Sequence, residues 1–229
     1  DNCGAGADPD ARFCSRCGTP LLAGTPPELR RLTILFADLS GFTTLTERFD
    51  PEDVRTVTNE FFAAATEAVE RWGGRVDKLL GDGVMAVFVD RGAREDDAIR
   101  AVHAAIELRD GTNRIRPALP GWDGLRLTAH IGVGTGVALT ADTTSDGETS
   151  SPLGDAVNVA SRLSSMAEPD EVLVCRLTHR LVTGRFETSA LGHRRLKGKS
   201  ESVEVFRVGS PRSNRTQRSR GPLVGRDRE

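Results

Sequence analysis

Apolar positions along this chain follow two different periods, and the switches between them outline an alternating set of elements. Leu32 to Ala37 is a nearly unbroken apolar run, the mark of a strand buried on both faces. From Pro51 to Trp72 the period lengthens to that of a helix, with Val54, Val57, Phe61, Phe62, Ala65 and Val69 on one face. Asp50 stands at the cap position before Pro51, and Gly73-Gly74 ends the segment. Arg75 to Leu80 and Val84 to Val89 read as two short strands, and Gly81-Asp82-Gly83 between them is a tight hairpin signal. A second helix is predicted from about Arg94 to Asp110, then a strand from Leu125 to Val133 and a polar loop from about Thr140 to Ser151. A helix from Asp155 to Ala167, a strand from Val172 to Cys175, and strands around Arg194 to Leu196 and Val203 to Val208 complete the pattern. Strand, helix, hairpin, helix, strand predicts an α+β fold with a ferredoxin-like sheet and helices on one face. No internal repeat is visible.

Composition narrows the function classes. With 229 residues and 38% hydrophobic positions, the chain can bury one substantial core and a small satellite. The longest apolar stretch, Val84 to Val89, falls far short of the ~20 residues a bilayer helix needs, so a membrane-spanning reading is excluded. The net charge of −2 hides an asymmetry: from Gly209 onward there are six arginines against Asp227 and Glu229, so the preceding residues carry the acidic excess. An acidic body argues against coating a nucleic acid, and the basic tail reads as a solvated linker. No basic, apolar leader is present, so nothing points to export and a cytoplasmic location is expected. The chain starts inside one motif and stops inside another, as expected of a piece of a longer protein.

Three of the four cysteines suggest a metal site. Cys14-Ser-Arg-Cys17 is a two-residue-spaced knuckle that aims both thiolates at one point, and Cys3-Gly4 precedes it. These resemble half of a zinc ribbon, whose fourth ligand would lie upstream of Asp1; a redox pair is the other reading. Cys175, inside an apolar run, is expected to be a buried small hydrophobe.

Two aspartates carry the main chemical signal. Asp38 ends the first strand and Asp82 sits in the hairpin turn, so a ferredoxin-like sheet would bring two hard carboxylates to one edge among glycines. That donor set suits Mg²⁺, which completes its shell with water and substrate phosphate. Each Asp alone reads equally as a cap or turn residue. Gly41-Phe42-Thr43 follows Asp38 into a helical stretch, where main-chain N–H groups would face a phosphate. Asn158 and Arg162 lie four apart on one helix face, able to meet a transferring phosphoryl group. The same pattern also describes a helix capped at Asp155 with a solvated arginine.

Four segments in order, FADLSGFT (Phe36 to Thr43), KLLGDGVMAVF (Lys78 to Phe88), GDAVNVASRL (Gly154 to Leu163) and RRLKGKSESVEVFRV (Arg194 to Val208), resemble the catalytic domain of class III adenylyl cyclases. The resemblance implies a palm-type nucleotidyl cyclase domain over residues 28–208, after a partial zinc ribbon at 1–20 and a linker at 21–27. Residues 209–229 would be a basic linker and the start of an ATPase module of the AAA or STAND kind, suggested by Pro222 to Glu229. Asp38 and Asp82, with the Leu39 carbonyl, would bind two Mg²⁺ or Mn²⁺. Lys78 would read adenine, and Ser151 would be the second purine-reading position, its hydroxyl donating to N1 or accepting from the amino group. Asn158 and Arg162 would orient the ribose and steady the transition state, and Lys197, or Lys199, would contact the polyphosphate. His130 stands where many members have an arginine, so a phosphate contact there would be an imidazole; a core histidine is the other reading.

The implied activity is conversion of ATP to 3′,5′-cyclic AMP and pyrophosphate in intracellular signalling, at sites formed by a head-to-tail homodimer. A second reading is a cyclase-like domain that dimerises, senses nucleotide and regulates the attached ATPase without turnover. It is motivated by His130 and by the unusual arm from Ala138 to Ser151. A diguanylate cyclase is set aside because its Gly-Gly-acidic-Glu-Phe signature is missing.

Overall fold

The apolar run at Leu32 to Ala37 forms the middle of β1 (Glu28–Leu39), and Leu32, Thr33, Ile34 and Leu35 are all buried. The structure, a computed structural model, describes Cys3, Arg16, Cys17 and residues 28–89, 96–122, 125–140, 151–195 and 202–212. After β1 come α1 (Phe42–Arg48), α2 (Pro51–Arg71), β2 (Arg75–Leu80), β3 (Gly83–Phe88) and α3 (Asp97–Thr112). The chain continues through β4 (Ala129–Thr140), β5 (Leu153–Gly154), α4 (Asp155–Met166), β6 (Val172–Cys175), α5 (Arg176–Val182), β7 (Phe186–Arg195) and β8 (Ser202–Pro211). These strands make one sheet in the order β2-β3-β1-β4-β6-β8-β7, with β5 paired to β4. The pairings are antiparallel except for β4 with β6.

Helices cover both faces of the sheet, which corrects the expectation of a single covered face. Alternate residues of a strand point to opposite sides, and both sides of β1 and β3 are apolar. Leu35, Ala37, Val84, Ala86 and Phe88 pack in one cluster with Val57, Phe61, Ala65 and Val69 of α2 and with α3. Leu32, Ile34, Met85 and Val87 form a second cluster with Ala156 and Ala160 of α4. A sheet apolar on both faces exposes one unless each is covered, and α4 supplies the second cover.

The approach of α4 is set by glycine in β4. A Cβ at Gly132 would lie 2.3 Å from both the Ala160 carbonyl oxygen and the Ser164 nitrogen. Those are helix main-chain atoms and cannot swing away, so α4 would have to lift off the sheet. Gly132→Ala is expected to cost about 3 kcal/mol, at the upper end for overpacking, and to lower the thermal midpoint by ~10 °C. Thermal unfolding followed by circular dichroism checks this; an unchanged midpoint would contradict the packing described.

Other elements depart from the sequence reading in detail. β4 continues to Thr140, beyond the expected end at Val133, because its glycines face α4 and look like breakers in the sequence. β8 runs to Pro211, past the expected domain end at Val208, and Arg212 Nε donates to the Phe186 carbonyl at 3.1 Å. Asp50 occupies the cap position of α2 but makes no side-chain capping bond. Gly154, not Asp155, is the cap of α4. Cys175 is buried as expected, its sulfur 3.2 Å from the Thr178 hydroxyl. No helix among the described residues is long and apolar enough to cross a membrane.

Candidate active site

Asp38 lies near the end of β1, flanked by both neighbouring strands. Its register partner is Gly83 on β3 and His130 on β4. The hairpin turn is stitched to the same strand end: the Leu39 N–H donates to the Asp82 carbonyl at 3.2 Å, and the Ser40 N–H donates to the Thr128 carbonyl at 2.9 Å. The strand end and the hairpin tip therefore lie side by side. Gly83 makes room for this, since a Cβ there would sit 3.0 Å from Asp38 Oδ1 and 3.1 Å from the Ala37 carbonyl.

Crowding changes the acidity of this edge. Loss of water around the Asp38 carboxyl raises its pKa to about 6, helped by the charge of Asp82 and a hydrogen bond between the two side chains. The charge of His130 and, less strongly, the Leu39 N–H pull the other way. A carboxyl whose proton affinity is raised by a neighbouring carboxylate makes with it a donor pair suited to a divalent cation, which relieves the repulsion a proton otherwise relieves. Among the described residues no group of three or more His, Cys, Asp or Glu side chains converges on one point. Hence a cation here would take the rest of its shell from water or a bound phosphate, as Mg²⁺ does.

His130 is held by the end of α4. Its Nδ1 is 2.6 Å from the Ala167 carbonyl oxygen, and a carbonyl only accepts, so Nδ1 carries the hydrogen. Ser164 Oγ donates to the His130 carbonyl at 3.0 Å. The residue is half-buried and lies opposite Asp38 in the strand register. Directly after Asp38, Gly41 in a left-handed conformation (φ 74°) caps α1, whose first turn contains Phe42 and Thr43.

The remaining candidates lie on other surfaces. Lys78 is exposed on β2. The residue before it, Asp77, was not singled out from the sequence, yet its carboxylate accepts a hydrogen bond from Ser151 Oγ at 2.6 Å. Asn158 and Arg162 lie on the exposed side of α4, one turn apart, while Val159, Ala160 and Leu163 turn inward. Among the described residues, no hydrogen bond or ion pair joins Lys78, Ser151, Asn158 or Arg162 to Asp38 or Asp82. Lys197, Lys199 and Cys14 lie outside the described residues; of the other knuckle cysteines, Cys3 is half-buried and Cys17 exposed.

The profile of the adenylate and guanylate cyclase catalytic domain matches residues 25–209. This chain belongs to that family. A zinc-ribbon domain profile matches residues 1–21 of the same chain, ahead of the cyclase domain. Adenylate cyclase of Anabaena cylindrica is 32% identical over 188 residues, covering 78% of this chain and 37% of that protein. The crystal structure of the adenylyl cyclase CyaB from P. aeruginosa superposes with a TM-score of 0.73 at 29% identity, covering 81% of this chain and 97% of that one. The guanylyl cyclase Cya2 superposes equally well, with a TM-score of 0.73 at 25% identity over 83% of this chain and 98% of that one. The chain spans well under half the length of the curated relatives it matches. Cyclase domains of this family bind a nucleotide substrate, use Mg²⁺ or Mn²⁺, and typically dimerise.

Proposed function

We propose that this chain is an adenylate cyclase that converts ATP to 3′,5′-cyclic AMP and pyrophosphate at a site shared by two protomers. The observation that carries the reading is the Asp38–Asp82 edge, two neighbouring carboxylates beside the first turn of α1, in a chain of the cyclase family. In the reaction the ribose 3′-oxygen bonds to the α-phosphorus and the bond from that phosphorus to the pyrophosphate oxygen breaks. Bound divalent cations would supply activation of the 3′-hydroxyl and charge neutralisation on the leaving group. Asp38 and Asp82, with the Leu39 carbonyl, hold them; the N–H groups of Gly41, Phe42 and Thr43 cradle the polyphosphate, joined by Lys197. Lys78 donates to adenine N1 and Ser151 reads the neighbouring purine edge. Asn158 orients the ribose, and the Arg162 guanidinium faces charge developing at the α-phosphate.

Two features support a second copy of the chain as partner. Arg162 and Asn158 face outward and bond to neither aspartate, so a site needing both sets would draw one from another protomer. An apolar strip also crosses β1, β4 and β5, where Leu29 pairs with Leu139 and Leu139 with Leu153. Leu29 is 72% and Leu153 69% exposed, more than an uncovered sheet face usually tolerates. Cys3, Cys14 and Cys17 fit three thiolate ligands of a zinc ribbon. The terminal segment from Pro222 is taken, on its sequence alone, as the opening of a following ATPase module. The regulator reading draws on His130, whose Nδ1 is committed to Ala167 rather than to a phosphate.

The test is turnover of ATP and GTP by the purified chain with Mn²⁺. Cyclic AMP is expected to form at least about tenfold faster than cyclic GMP, the least that losing one neutral hydrogen bond would cost. Lys78→Glu should erase that preference, because a carboxylate accepts where adenine N1 also accepts. Equal use of both nucleotides by the unaltered chain would overturn the adenylate assignment; absence of any product would favour the regulator.

A further inference from the structure

We infer that Asp77 sets the nucleotide specificity of this site by fixing the direction of the Ser151 hydroxyl, making Ser151 an acceptor for the 6-amino group of adenine. The inference rests on the reading of Lys78 and Ser151 as the purine-contacting pair.

The geometry around Asp77 is specific. β2 and β3 change register between Val76, opposite Ala86, and Lys78, opposite Met85, so Asp77 occupies a bulge. Bulges re-aim side chains beside functional sites. Here the Asp77 side chain is only 1% exposed, its Oδ2 accepts from Ser151 at 2.6 Å, and its Oδ1 lies 3.0 Å from Arg75 Nη1. That second oxygen is buried without a hydrogen bond of acceptable geometry among the described residues. A carboxylate buried for packing alone would have no reason to leave an oxygen so poorly satisfied.

Hydrogen-bond inventory then decides what Ser151 can do. A serine hydroxyl has one proton and two lone pairs, while a carboxylate paired with a guanidinium only accepts. The Ser151 proton is therefore spent on Asp77, and the oxygen offers only lone pairs to a ligand. Lys78 offers only protons. Adenine presents an acceptor at N1 beside a donor at its 6-amino group, so it matches both. Guanine presents a donor at N1 and an acceptor at O6, and is mismatched at both. Ser151 alone could accept from adenine or donate to guanine O6; tied to Asp77 it can only accept.

Purine riboside 5′-triphosphate isolates this contact, because it keeps N1 and lacks only the 6-amino group. The unaltered chain is expected to prefer ATP over it by about tenfold in kcat/KM, the change for one neutral hydrogen bond. Asp77→Asn, which keeps the shape but can turn an amide N–H toward Ser151, should reduce that preference to about threefold or less. Asp77→Ala, which frees the hydroxyl to donate to guanine O6 as well as to accept from adenine, should instead narrow the preference for ATP over GTP to about threefold or less. In a Ser151→Ala background neither change should have a further effect. Equilibrium competition between α,β-methylene-ATP and α,β-methylene-GTP, which cannot cyclise, reads the same loss of discrimination without turnover. A merely structural tether would lower stability and leave both ratios intact. If Ser151→Ala abolishes the preference while Asp77→Asn retains it and Asp77→Ala leaves the discrimination between ATP and GTP unchanged, the role of Asp77 is overturned while the purine-reading pair stands. If Ser151→Ala itself retains the preference, the pair and this inference fall together.

Discussion

Asp38→Ala and Asp82→Ala are each expected to reduce Mn²⁺-dependent cyclic AMP formation by about a thousandfold or more, equivalent to ~4 kcal/mol of transition-state stabilisation. The size follows from the donor count. The site presents two carboxylates and no further His, Cys, Asp or Glu cluster among the described residues, so each variant removes half of its anionic donors. Water cannot replace that charge, and one carboxylate alone would hold a divalent cation too weakly for it to neutralise the substrate's phosphates. The loss should not come from unfolding. Asp38 is charged at neutral pH against the pull of desolvation and Asp82, which raise its pKa to about 6. Sign follows directly: an acid whose folded pKa is raised destabilises the folded, metal-free chain once pH exceeds its unfolded value, so its removal relieves strain at neutral pH. Retained thermal midpoint with lost activity is the expected pair of results. Full activity in either variant would remove the metal assignment.

Mixing two inactive variants should restore activity. Asp38→Ala and Arg162→Ala are each expected to be inactive alone, because every dimer they form lacks one essential group at both sites. In an equal mixture, half of the dimers are hybrids, and two-fold symmetry gives each hybrid one site with both groups intact and one with neither. Activity should therefore recover to about a quarter of that of the unaltered chain. The structural basis is the separation of the two sets: Arg162 projects from the outer side of α4, while Asp38 lies at the β1 edge with Asp82, and among the described residues no hydrogen bond or ion pair joins them. A mixture no more active than its components would mean that each chain completes its own site.

What could be read from residues alone divides along physical lines. β1, α2 and the β2–β3 hairpin were legible because their signals are local: an apolar run, a helical period and a Gly-Asp-Gly turn. The meeting of Asp38 and Asp82 followed from those elements, since a strand end and the adjoining hairpin have little freedom once paired. The position of α4 was not legible. Its cue was the small-residue face of β4, where Gly132, Gly134 and Gly136 all approach the helix, but glycines in a row read as breakers until a partner is known. β7 is largely exposed and, among the described residues, pairs with β8 alone, so no apolar alternation marks its length and the strand expected around Arg194 to Leu196 catches just its end. Asp77 was invisible for another reason: its partner Ser151 is 74 residues away, and the contact depends on a bulge that no pattern of residue types announces.

The most direct measurement is the rate of cyclic AMP and pyrophosphate formation from ATP and Mn²⁺ by the purified chain, followed over a wide range of protein concentration. Equal amounts of the two products are predicted, with a rate per chain that climbs with concentration and levels off as dimers saturate. A rate per chain that is independent of concentration down to the monomer, or no product at the highest concentration, would contradict the account.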